Sequence, residues 1–203
     1  FSILTSVLFV YMILRFNIFG SFKGVSFVNY YTNYIAHIAF FDAKISSLKV
    51  MGLYIFKTFI PYKLSFDYSF PIIKPFSFIV KDILLVFLAL VIIVAPFLKV
   101  DRRIKFGLLF FLFSFSIVSN FFFYIGTIMG ERLMYLPSIG LIISFVFSIS
   151  KIPFMSSSKK VLIFILFICI SSFFTVKRNF LWVSNASISS DAIHKGHLSY
   201  IAY

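Results

Sequence analysis

The chain has 203 residues, 61% of them apolar and only 12% charged, with a mean hydropathy of +1.05; soluble domains carry roughly one-quarter charged residues, so a soluble globular fold is excluded and an integral membrane protein is expected. A formal charge of +13 suits membrane lipids with anionic headgroups as partners, while cations scattered between apolar runs, with no continuous stripe, exclude nucleic acid as the expected partner. The single cysteine, Cys169, excludes an internal disulfide.

Taken in order, Phe1 to Leu14 is apolar but too short to cross a bilayer core, which takes roughly 20 helical residues. It reads as the tail end of a span, and a chain that opens at Phe1 inside an apolar run reads as a fragment with its N-terminus missing. Arg15 to Ser26, with Gly20 and Gly24, has the composition of a connecting loop. Phe27 to Pro61 mixes Asn29, Asn33, His37, Asp42, Lys44, Lys49 and Lys57 with aromatics and aliphatics. That pattern predicts helices in the interface or packed inside a bundle.

Pro61 to Lys81 carries Pro61, Pro71 and Pro75 and is expected to be a structured non-helical loop, because each Pro removes a backbone donor and holds the preceding residue out of the α region. Four spans are predicted beyond it: Asp82 to Leu98, Phe106 to Gly126, Leu133 to Ser150 and Val161 to Val176. The domain reading is a membrane region over residues 1–176 and an extracytoplasmic segment over residues 177–203. The fold class expected is all-α, a polytopic transmembrane helix bundle.

Charge sets the orientation. Lys99 to Lys105 holds four Lys or Arg and Lys151 to Lys160 holds three. Two predicted spans separate these loops, which therefore share a side, and the positive-inside rule makes that side cytoplasmic. Arg102 and Arg103 read as topology determinants facing cytoplasmic lipid. The Pro61 to Lys81 loop, the turn at Glu131 and Arg132, and the C-terminal tail then converge on the extracytoplasmic surface.

Glu131 and Arg132 sit between two long apolar runs, where a charge needs a partner or a polar surface. With Tyr135 and Pro137 nearby, they suit a lipid-linked phosphate, because a guanidinium matches phosphate oxygens bidentately and stays charged, and the adjacent carboxylate would hold it in place. The structural alternative is an ion pair capping two spans. In the proline-rich loop, Asp67 and Tyr68 offer a carboxylate and a stacking surface for an acceptor; the alternative is a stiffened connection. His37, His194 and His197 show no zinc-ligand spacing, so no metal is expected. Neither a Ser-His-Asp order nor a glycine-rich phosphate loop is present, and no catalytic residue is assigned within the chain.

Three ordered blocks carry a resemblance. The first is Pro61, Leu64, Ser65, Asp67, Tyr68 and Ser69. The second is Ser119, Asn120, Gly126, Glu131, Arg132, Tyr135, Leu136, Pro137, Ser138 and Gly140. The third is Arg178, Asn179 and Trp182. Together they resemble the transmembrane and tetratricopeptide-repeat-containing (TMTC) O-mannosyltransferase family, from about Val28 to the end of the chain.

The resemblance implies a GT-C-like membrane glycosyltransferase that moves mannose or another sugar from a polyprenyl-phosphate carrier, such as dolichyl-phosphate mannose, onto Ser or Thr hydroxyls of an acceptor protein. It also implies a catalytic carboxylate in a first extracytoplasmic loop upstream of Phe1, and tetratricopeptide repeats after the membrane region. Glu131, Arg132, Tyr135 and Arg178 are then the donor-phosphate residues, with Asp67 and Tyr68 in the acceptor loop. The expected location is the endoplasmic reticulum membrane in a eukaryote, or the inner membrane in a bacterium. The competing classes are a lipid or solute transporter, which would be expected to show inverted repeats, and a membrane anchor for lumenal repeats.

Overall fold

The computed structural model describes residues 13, 28–61, 64–65, 68–184, 187 and 190. Asp67, Asn185, His194 and His197, the apolar run before Val28 apart from Ile13, and most of residues 177–203 after Ser184 lie outside that description. Five α-helices and no strands are present among the described residues: α1 Phe40–Phe59, α2 Val80–Val94, α3 Arg102–Ser116, α4 Tyr135–Ser150 and α5 Ser157–Asn179, with short 3₁₀ turns between them. Among the described residues, three stretches are long and apolar enough to cross a membrane: Val80–Phe97, Glu131–Ser150 and Ser157–Asn179. The chain is a multi-pass membrane protein with an all-α fold.

One predicted span is corrected. The run from Phe106 to Gly126 is not one helix, since α3 begins at Arg102 and ends at Ser116. Its 15 residues reach about 22 Å at 1.5 Å per residue, against roughly 30 Å of hydrocarbon. Asp101 sets the start by accepting a hydrogen bond from the Arg103 amide at 2.9 Å, an N-cap interaction. Past the C-cap at Ile117, Asn120, whose backbone lies in the left-handed region at φ 56°, leads the chain through irregular structure as far as Gly130.

Helices approach closely where side chains are smallest. A Cβ on Gly140 of α4 would lie 2.5 Å from the Gly107 carbonyl oxygen of α3, and a Cβ on Gly52 of α1 would lie 2.0 Å from that of Leu85 in α2. Ser144, one turn after Gly140, donates across the α3–α4 crossing to the Ile104 carbonyl at 3.2 Å. Such contacts matter within a membrane, where packing and interhelical hydrogen bonds drive association in place of the hydrophobic effect.

The proline-rich loop is non-helical in its described residues as far as Ile79, with Val80 and Lys81 already in α2, and it is tied to α1. Lys49 of α1 pairs with Asp82 at 2.7 Å, both side chains nearly buried, and donates to the carbonyls of Lys74 and Pro75. Asp82 also accepts from the amide and hydroxyl of Ser77. A buried ion pair is tolerated only when its remaining hydrogen-bonding groups find partners, and the loop supplies them. Its placement inside a helix bundle agrees with the packing expected of Phe27 to Pro61.

The two basic loops meet at one end of the bundle. Asp101, before α3, pairs with Lys151, after α4, at 2.9 Å. The Arg103 guanidinium lies 5.1 Å from the Phe147 ring centroid, and Lys160 donates to the Ser150 carbonyl. The Arg103 amide and then Lys151 hold the Asp101 carboxyl below its ordinary pKa. From this end α5 runs the length of the bundle to Arg178, which reaches the proline-rich loop and Glu131.

Candidate functional site at the Glu131 junction

Three segments distant in sequence meet at Glu131. One carboxylate oxygen accepts from the Tyr68 hydroxyl at 2.6 Å and from the Ser65 amide at 2.9 Å. The other faces the Arg178 guanidinium at 3.5 Å. Arg178 also donates to the Leu64 carbonyl at 2.7 Å. The loop, the turn before α4 and the end of α5 are thereby joined through one carboxylate. Tyr68 is buried. Burial, followed by the nearby Glu131 charge, pushes its phenol well above the ordinary range, so it remains a donor to Glu131.

Glu131 therefore holds Arg178 and not its neighbour Arg132. Consecutive residues in a helical turn do not face each other, and among the described residues no carboxylate pairs with Arg132. Instead Arg132 is exposed and lines a cleft of about 280 Å³ together with Tyr54, Lys57, Glu131, Tyr135 and Ser138. Tyr135, also exposed, stands at this cleft. The expected donor set thus divides: Glu131, Arg132 and Tyr135 border the cleft, while Arg178 buttresses Glu131 from the side. Tyr68, expected to stack with an acceptor, is turned inward onto Glu131.

The sequence reading had assigned no site role to Lys57, Ser65 or Tyr54. The Lys57 ammonium lies 5.3 Å from the Tyr68 ring centroid and adds a second cation to the cleft. Tyr54 fixes the turn beneath it, since its hydroxyl accepts from the Gly130 amide at 2.7 Å and lies 3.2 Å from the Gly130 carbonyl. Lys57 follows Tyr54 by three residues on α1, a spacing that puts both on one helix face; that spacing was the available signal.

Behind the turn, Asn120 acts as a polar pin. Its side-chain oxygen accepts from Asn33 at 2.8 Å and from the Ile125 amide at 2.9 Å, and its side-chain nitrogen donates to the carbonyls of Thr127 and Ile128. Asn33 and Asn120 are both fully buried. Buried backbone groups outside helices need such partners, and this network fixes the path of residues 120–130 into Glu131.

No family model matches the chain, and no solved structure matches it. Among curated proteins it is similar to protein O-mannosyl-transferase TMTC1 of Mus musculus, with 37% identity over 106 residues that cover 47% of this chain and 11% of the mouse protein. It is also similar to protein O-mannosyl-transferase TMTC1 of Homo sapiens, with 33% identity over 99 residues that cover 46% of this chain and 11% of the human protein. The match thus spans about 11% of the length of these curated relatives. Over the part that aligns, which takes in under half of this chain, these matches and the ordered blocks that meet at Glu131 show a similarity to the TMTC family.

Proposed function

We propose that the chain forms the donor-phosphate side of a membrane glycosyltransferase that moves mannose from a polyprenyl-phosphate carrier onto a protein hydroxyl. One observation carries the reading: Glu131 is engaged by Tyr68, Ser65 and Arg178, which leaves Arg132 facing a cleft that also contains Lys57. A cleft with two cations at the end opposite the basic loops suits the phosphate of a lipid carrier at a membrane surface.

In this reading the acceptor oxygen forms a bond to the anomeric carbon as the bond from that carbon to the phosphate oxygen breaks. The acceptor proton passes to a carboxylate base, and the electron pair leaves with the carrier phosphate. Arg132 and Lys57 neutralise the charge growing there, a role in which fixed cations act on the transition state more than on the bound donor. Glu131, with Arg178 and Tyr68 behind it, is a positioning residue that holds the turn bearing Arg132. The site end faces the lumen of the endoplasmic reticulum and the basic end faces the cytoplasm.

The test uses membranes containing the full-length protein, radiolabelled dolichyl-phosphate mannose and a folded acceptor domain. Label is expected to enter protein with the wild type, and Arg132→Ala is expected to lower the rate by about a hundredfold, the scale seen when one transition-state donor is removed. Unchanged transfer with Arg132→Ala would overturn the assignment.

A further inference from the structure

A second cavity lies along the same face of α1, toward its N-terminus. Its volume is about 650 Å³, within the range of about 300–1,000 Å³ usual for small-molecule sites. It is lined by Met51 of α1, Ile93 of α2, Leu112 of α3 and the run Phe121, Phe122 and Phe123. The Tyr54 and Phe115 rings, 5.3 Å apart, separate it from the Arg132 cleft. Phe97, Phe113 and Phe122 at its lips are well exposed, and they continue the apolar outer surface of α2 and α3. The groove therefore opens sideways, toward the bilayer.

Two features define what would fit. The hydroxyls that line the groove are already committed to the backbone: Ser47 donates to the carbonyls of Ala43 and Asn120, Ser116 to that of Phe113, and Ser119 to that of Ser116. A guest inside meets hydrocarbon and must itself be hydrocarbon. At the rim stands Lys44, whose ammonium donates to the Phe121 carbonyl. It lies 4.9 to 5.6 Å from the ring centroids of Phe40, Phe121 and Tyr124. Aromatic faces hold a cation without neutralising it, and among the described residues no carboxylate pairs with Lys44. An apolar slot with an uncompensated cation at its mouth is complementary to an anionic amphiphile.

We propose that this groove is a binding site for an anionic glycerophospholipid, with one acyl chain between α2 and α3 and the headgroup phosphate at Lys44. The site is separate from the Arg132 cleft, and the inference does not depend on the transferase reading.

The experiment places full-length protein in nanodiscs containing phosphatidylglycerol with a photoactivatable diazirine in its acyl chain, and maps adducts by mass spectrometry after illumination. Adducts are expected to concentrate on the peptides bearing Met51 and Leu112, and to be lost with Leu112→Trp, which fills the slot. Unlabelled phosphatidylglycerol is expected to compete about fivefold better than phosphatidylcholine, the factor one Lys contributes toward an anionic surface. Lys44→Gln, a change at the rim that leaves the packed interior untouched, is expected to abolish that preference while adducts persist. Adducts as dense on α5 as in the groove, competition indifferent to headgroup, or displacement by polyprenyl phosphate in preference to phosphatidylglycerol would each overturn the proposal.

Discussion

Replacing Glu131 with Ala is expected to destabilise the membrane region by about 3 kcal/mol, near the lower end of the cost of removing one partner from a buried ion pair, and to abolish the proposed transfer by the full-length protein. Three groups lose their common acceptor: the Tyr68 hydroxyl, the Ser65 amide and the Arg178 guanidinium. The lower end applies because Arg178 keeps its bond to the Leu64 carbonyl and because Glu131 is only partly buried. Glu131→Gln keeps an acceptor for Tyr68 but removes the charge opposite Arg178, so it should fall between wild type and Ala. Thermal unfolding in detergent, followed by retention of a monodisperse peak, measures both variants. A midpoint unchanged in Glu131→Ala would mean that the carboxylate does not join the three segments.

Asn120→Ala is expected to cost roughly 3 kcal/mol or more, at about 1–3 kcal/mol for each buried polar group left without a partner. The lost carboxamide serves the Ile125 amide, the carbonyls of Thr127 and Ile128, and Asn33. Alanine also tolerates a φ of 56° poorly, whereas Asn visits that region with the help of local hydrogen bonds. Asn120→Gly separates the two contributions, since it relieves the backbone but restores none of the bonds. The same unfolding assay should rank wild type above Gly and Gly above Ala. Equal stability for wild type and Gly would show that the network contributes nothing.

The parts of the fold legible in the sequence were those where one signal dominated. Ile83 to Leu98 is apolar throughout and flanked by charge at Asp82 and Lys99, and it forms most of α2 with the short turn after it. The proline-rich loop was legible because its three prolines oppose helix, and the shared side of the basic loops because two predicted segments separate them. The helix over Phe106 to Gly126 failed for a local reason. Residues after Ser116 remain apolar, so hydropathy continues where helical geometry has stopped, and the path beyond depends on Asn120 finding partners as distant in sequence as Asn33.

The site was legible as a set of residues but not as an arrangement. Glu131 and Arg132 are adjacent and opposite in charge, which suggested mutual pairing; the turn directs them apart, and the true partner, Arg178, lies 47 residues away. No local pattern announces that partner, and Arg178 entered the expected site only through the Arg-Asn and Trp block of the resemblance. Lys57 escaped notice because it was one of many scattered lysines, and only the folding of α1 against the loop brings it beside Tyr68.

In the proposed site Glu131 retains Arg178 as a buttress and so leaves Arg132 to receive the carrier phosphate. The most direct measurement is the affinity of the full-length protein in nanodiscs for sugar-free polyprenyl phosphate, compared between wild type and Arg132→Gln. A loss of about tenfold or more, as expected when one charge-assisted hydrogen bond is removed, with the unfolding midpoint unchanged, is the predicted result. Equal affinity in the two proteins would contradict the account.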